Sequence, residues 1–104
     1  MLDEVNLIPA QVRDRDASVQ LLDVRQKWEF DRVSLPGAIL IPLGQLPQRL
    51  GELDPSRPVI AYCHHGARSY QAIRFLAQSG FTQVAHLAGG IAAYSLFDPT
   101  IPQY

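Results

Sequence analysis

The chain has 104 residues, 47% of them hydrophobic, and nine basic against ten acidic side chains give a formal net charge of −1. This predicts one domain, residues 1–104, with a modest core, and gives no reason to expect nucleic acid or an anionic membrane surface as a partner. No apolar run approaches the ~20 residues of a bilayer span. The acidic start Met1-Leu2-Asp3-Glu4 is unlike a secretory leader, and the single cysteine, Cys63, excludes an internal disulfide. The expectation is a cytoplasmic, reduced, monomeric protein.

Residues 4–8 read as a short first strand, and residues 9–14 as one helical turn with Pro9 at its first position. The alternating charges of residues 13–16 suit a solvated loop. Residues 19–24 form a better strand, rich in branched side chains and ending at an acid, Asp23. Trp28 and Phe30 are expected to pack in the core or against a pocket wall. Leu35-Pro36-Gly37-Ala38 is a turn, followed by a short strand at residues 39–41 that Pro42 ends. Leu43, Leu46, Leu50 and Leu53, three and four apart, predict an amphipathic helix with Pro47 in its first turn.

The centre of the chain is Pro58-Val59-Ile60-Ala61-Tyr62-Cys63-His64-His65-Gly66-Ala67-Arg68-Ser69. Its apolar run suits a strand buried on both faces of a parallel sheet. A helix over residues 67–79 follows, with Ala72, Ile73, Leu76 and Ala77 on one face and Gly80 as its left-handed stop. Residues 84–87 read as a last strand, with His86 as an ordinary strand histidine. Gly89-Gly90 then turn into a short helix at 91–95. Strands alternating with short helices predict an α/β fold with a mainly parallel sheet.

Cys63 therefore stands between the end of a strand and the start of a helix. Unpaired N–H groups of a first helical turn favour an anion, Arg68 adds a permanent positive charge, and Gly66 permits a tight loop whose amides turn inward as a nest. A thiol in such a field ionises readily and is a nucleophile. The bland alternative is a small buried hydrophobe. His64 and His65 either attract an anionic donor when protonated or point to solvent and supply only backbone N–H groups. A Cys-His-His zinc site is disfavoured because adjacent ligands on a tight loop converge poorly on one ion. No metal or cofactor is expected.

Cys63 to Ser69 resembles the active-site loop of the rhodanese family, a cysteine followed five positions later by arginine and then Ser or Thr. Leu21-Leu22-Asp23-Val24-Arg25 with Glu29-Phe30, Leu35-Pro36-Gly37-Ala38 with Ile41-Pro42-Leu43, and Leu87-Ala88-Gly89-Gly90-Ile91 resemble the same family in the same order. The tail Asp98-Pro99…Pro102…Tyr104 is similar to that of single-domain members. One departure is Val33-Ser34, where relatives usually carry Gly-His before the turn. The resemblance implies a three-layer fold with a five-stranded, mainly parallel sheet and helices on both faces.

It also implies a sulfurtransferase working through a Cys63 persulfide, held by the N–H groups of His65, Gly66, Ala67, Arg68 and Ser69. The donor would be thiosulfate or another persulfide, and the acceptor cyanide, a thiol or a protein cysteine. Arg68 would shape the loop and help bind the anionic donor. Asp23, Arg25 and Glu29 would brace the loop; Arg25 and Glu29, four apart, could instead simply pair with each other. The related phosphatases have one more residue between Cys and Arg, so the four-residue loop here favours sulfur over phosphoryl chemistry. A persulfide carrier dedicated to a protein partner in cofactor or tRNA thiolation, and a non-catalytic binding module, are the other readings.

Overall fold

The computed structural model describes residues 5–104. Among the described residues five strands form one sheet: β1 (Asn6–Leu7), β2 (Gln20–Asp23), β3 (Ile39–Leu40), β4 (Val59–Tyr62) and β5 (Val84–Leu87), in the order β1-β5-β4-β2-β3. Every pairing is parallel, so the expected mainly parallel sheet is wholly so. The first strand is shorter than the expected residues 4–8, of which residue 4 lies outside the described residues. β4 lies at the centre, with Ala61 opposite Leu22 on one side and His86 on the other.

Alternation along the strands divides the core in two. Leu22, Val59, Ala61 and Cys63 face a cluster with Ala72, Ile73 and Leu76 of α4 (Ala67–Gln78) and with Leu46 and Leu53. Leu21, Ile60, Tyr62, Ala85 and Leu87 face Val12 of α1 (Pro9–Arg13) and Ile91 and Tyr94 of α5 (Gly90–Phe97). Burying each such aliphatic side chain stabilises the fold by ~1.5–3 kcal/mol before conformational entropy is counted. Successive side chains point to opposite faces, so the parity that buries Val59 and Ala61 against α4 also turns Cys63 to that side.

Three expectations change in detail. The leucines at 43, 46, 50 and 53 do face inward, but the helix is broken into a 3₁₀ turn (Leu43–Gln45), the short α3 (Leu46–Arg49) and a second 3₁₀ turn (Leu50–Glu52). Gly44, Pro47 and Gly51 explain the breaks, being weak formers at three of ten positions. Trp28, on α2 (Lys27–Arg32), is 61% exposed and lies edge-to-face with Tyr104, at 6.3 Å between ring centroids. Ala77 is exposed rather than on the buried face of α4. Gly80 does stop α4: at φ +95° it lets the Phe81 N–H reach the Leu76 carbonyl at 3.1 Å.

The turn at 35–38 is held by bonds from its neighbours. The Leu35 N–H donates to the Tyr62 hydroxyl at 3.0 Å, and the Arg25 guanidinium donates to the Val33 carbonyl at 2.7 Å. Arg25 is fully buried and forks onto Asp23 at 2.7–3.2 Å, so its charge is neutralised where it lies.

Candidate active site

β4 ends at Tyr62, and Cys63 is the first residue beyond it. Residues 63–66 curl so that Gly66, at φ +119°, opens α4. In this path the Gly66 N–H donates to the Cys63 Sγ at 3.1 Å and the Ser69 N–H donates at 3.4 Å. Two backbone dipoles and the amino end of a twelve-residue helix thus converge on the sulfur. Of the five amides expected to turn inward, those of Gly66 and Ser69 bond Sγ. The thiol in turn donates to the Ser69 hydroxyl at 3.5 Å. Cys63 itself is 1% exposed.

The loop is clamped from behind. The Ile91 and Ala92 N–H groups at the start of α5 donate to the carbonyls of Cys63 and His64 at 2.9 and 3.1 Å. Gly90 makes this approach possible: it sits at φ +66°, and a Cβ there would lie 2.2 Å from the His64 carbonyl oxygen. The Gly-Gly pair was visible in the sequence as a turn, but its role as the contact against the loop was not.

Asp23, Arg25, Glu29 and Arg68 meet on the other side, joined by a residue from the tail. Arg68 donates twice to Glu29, at 2.7 and 3.0 Å, and Glu29 also accepts the Gln26 N–H at 3.1 Å. The Tyr104 hydroxyl accepts from Arg25 at 2.9 Å and donates to Glu29 at 2.7 Å. Arg25 and Glu29 are therefore bridged by a phenol rather than paired directly. The bidentate bond to Arg68, outweighing the cost of burial, lowers the Glu29 carboxyl from 4.5 to about 2. The result is a chain of bonds from the end of β2 to the start of α4, which fixes Arg68 at the mouth of the loop.

The two loop histidines differ. His65 is exposed, whereas His64 is stacked between His65 (4.0 Å) and Tyr104 (4.3 Å). Burial, with a smaller contribution from His65, pushes His64 below the ordinary imidazole range. Its ring is packed between those two neighbours, and the same burial works against a positive charge on it. Beside it lies a pocket of about 290 Å³ lined by His64, His65, Ile91, Ala92, Leu96 and Tyr104, among others. Neither Tyr104 nor His86, which is bonded to Ser69 at 2.8 Å, stood among the expected site residues.

The family model described as "Rhodanese-like domain" matches residues 9–96. The chain belongs to the rhodanese-like family. A protein named "Sulfurtransferase" from Allochromatium vinosum is 36% identical over 96 residues, covering 91% of this chain and 90% of that protein. "Thiosulfate sulfurtransferase GlpE" from Shewanella oneidensis is 34% identical over 77 residues, 74% of this chain and 76% of that one. The crystal structure of a rhodanese-related protein from Thermoplasma volcanium superposes with a TM-score of 0.84 at 26% identity, covering 91% and 94% of the two chains. Other relatives are longer, and this rhodanese-like chain spans 30% and 42% of two of them. No helix among the described residues is long and apolar enough to cross a membrane.

Proposed function

We propose that this rhodanese-like protein transfers a sulfane sulfur through a persulfide on Cys63, taking it from thiosulfate or another persulfide and giving it to a thiophilic acceptor. The observation that carries the reading is the pair of backbone N–H groups, from Gly66 and Ser69, aimed at a buried sulfur at the amino end of α4. Such a cradle stabilises a thiolate and, one bond further out, a persulfide anion. In the first half-reaction the Cys63 thiolate attacks the outer sulfur of the donor. A new S–S bond forms, the donor's S–S bond breaks, and sulfite or a thiolate leaves with the electron pair. In the second, cyanide, a thiol or a protein cysteine attacks the outer sulfur and Cys63 leaves as thiolate.

Arg68 keeps the loop in shape through Glu29 and presents positive charge to an anionic donor. Asp23, Arg25 and Tyr104 hold that pair in place. No metal or cofactor enters the reaction, since the sulfur rides on Cys63. The four residues between Cys63 and Arg68 support sulfur rather than phosphoryl transfer, and no carboxyl group stands in the loop to protonate a phosphate ester's leaving oxygen. A thiol that alternates with a persulfide belongs in a reducing compartment, hence the cytoplasm, and we take the protein to act as a monomer. The test is steady-state release of thiocyanate from thiosulfate and cyanide by wild type and Cys63→Ala. Turnover that needs Cys63 supports the reading; Cys63-dependent hydrolysis of an aryl phosphate without thiocyanate release overturns it.

A further inference from the structure

We infer that His86 is the proton-holding residue of this site: through Ser69 it takes up the Cys63 thiol proton and keeps it while the sulfur is bound. The inference rests on the assignment of Cys63 as the sulfur-carrying nucleophile. It starts from strand parity. Ala85 and Leu87 pack in the cluster on the α5 side, so His86 between them faces the α4 side, as Cys63 does. The register places His86 beside Ala61 on β4 and beside Asn6 on β1. Laterally paired residues share a face, and the three strands thus line up a connected row of polar groups under the loop.

The row is continuous. The Cys63 Sγ lies 3.5 Å from the Ser69 hydroxyl, that hydroxyl 2.8 Å from His86 Nδ1, and His86 Nε2 2.8 Å from Asn6 Oδ1. Cys63, Ser69 and His86 are 1%, 0% and 5% exposed, whereas Asn6 is exposed. The buried thiol is thus connected to the surface by this chain. An amide oxygen only accepts, so with Asn6 Oδ1 turned to Nε2 the proton of the neutral imidazole lies there and Nδ1 is bare. The Ser69 hydroxyl has one proton to give. Its contact with Nδ1 is shorter than the 3.1 Å to the Gly66 carbonyl, which leaves a lone pair on Ser69 for the thiol proton.

The surroundings of His86 fit a base that is neutral at rest. Burial lowers its basicity. Facing it are the Tyr70 ring edge from α4 at 5.6 Å, the Gly66 backbone from the loop, Asn6 from β1 and, through Ser69, Cys63. Among the described residues no carboxylate or guanidinium bonds the ring. The group that stabilises an imidazolium here is therefore the thiolate itself, and the two ionisations are tied together.

The step balances. The S–H bond of Cys63 breaks with its electron pair left on sulfur; that proton passes to Ser69 Oγ as the hydroxyl's own proton passes to Nδ1. His86 is then a cation, and Ser69 donates back toward the thiolate. The thiolate takes the outer sulfur from the donor, whose remaining part departs as sulfite dianion or thiolate. When the acceptor removes that sulfur, Cys63 leaves as thiolate and recovers its proton from His86 by the reverse path. No oxidant or reductant beyond the sulfane donor and the thiophile is required.

The test follows thiolate absorbance and iodoacetamide alkylation of the reduced protein across pH, for wild type, His86→Asn, Ser69→Ala and Asn6→Asp. His86→Asn should move the thiolate midpoint up by about one unit, seen as ~tenfold slower alkylation at neutral pH, and Ser69→Ala should do the same. Asn6→Asp, a surface change that places a carboxylate on Nε2, should move the midpoint down. A structural role for His86 predicts no such opposite shifts. Unmoved midpoints in the variants that melt cooperatively overturn the inference; Asn6→Asp decides it if His86→Asn does not fold. Sulfur loading of wild type from thiosulfate is scored separately. Shifted midpoints without loading would refute sulfur transfer and leave the proton assignment standing, and loading with unmoved midpoints would refute the assignment alone.

Discussion

Replacing Glu29 by Gln isolates the ion pair that holds Arg68 at the loop. Glu29 is 4% exposed and accepts two bonds from Arg68, one from Tyr104 and one from the Gln26 amide. The fall of its carboxyl from 4.5 to about 2 corresponds to about 3 kcal/mol at ~1.4 kcal/mol per unit. The Arg68 side chain is 35% exposed and can be rehydrated, so the loss on substitution should be nearer ~2 kcal/mol. For a chain of 104 residues that lowers the melting temperature by ~10 °C. The sign in pH follows from the depressed value: the stabilisation is complete above 4.5 and is lost as pH falls towards 2. Thermal melts of wild type and Glu29→Gln should therefore differ at neutral pH, draw together as pH falls below 4.5, and converge only below about pH 2. Equal melting temperatures at neutral pH, or a gap that persists unchanged into acid, would refute the reasoning.

Gly90→Ala adds a Cβ 2.2 Å from the His64 carbonyl at a positive φ; the conformation alone costs ~1–2 kcal/mol, and denaturant unfolding should show a total loss above ~4 kcal/mol. Gly44→Ala, with nothing within 4 Å of its Cβ, is the neutral control. Tyr62→Phe leaves the buried Leu35 N–H without its 3.0 Å acceptor and should cost ~1–3 kcal/mol in the same assay. Tyr104→Phe keeps the stack on His64 but breaks the bridge between Arg25 and Glu29. A loss of ~1 kcal/mol is expected, measured by thermal melt, and an unchanged melting temperature would show that the bridge is idle.

The strand-loop-helix unit around Cys63 was legible because its determinants are local. A buried apolar strand, a glycine at a left-handed position and a helix with an apolar face all lie within two dozen consecutive residues, and parity fixes the side on which Cys63 emerges. The second helical stretch was less so: leucine spacing reported which side chains face inward, but not that Gly44, Pro47 and Gly51 would break the backbone between them. Trp28 looked like core or pocket-wall material by residue type, yet its position on α2 leaves it mostly exposed beside Tyr104. Two contributions were hidden because they come from far along the chain. Tyr104 reaches Arg25 and Glu29 across more than seventy residues, and His86 meets Ser69 only once β5 is in register with β4. Strand alternation already set His86 apart from Ala85 and Leu87, and that was the available signal.

The central claim is that Cys63 carries the sulfur, and intact-protein mass spectrometry tests it most directly. Wild type and Cys63→Ala would be incubated with thiosulfate, desalted, weighed, then treated with cyanide and weighed again. Wild type should gain the mass of one sulfur atom and lose it to cyanide, while Cys63→Ala stays unchanged. Wild type that gains no sulfur, or a Cys63→Ala variant that gains it equally, would contradict the account.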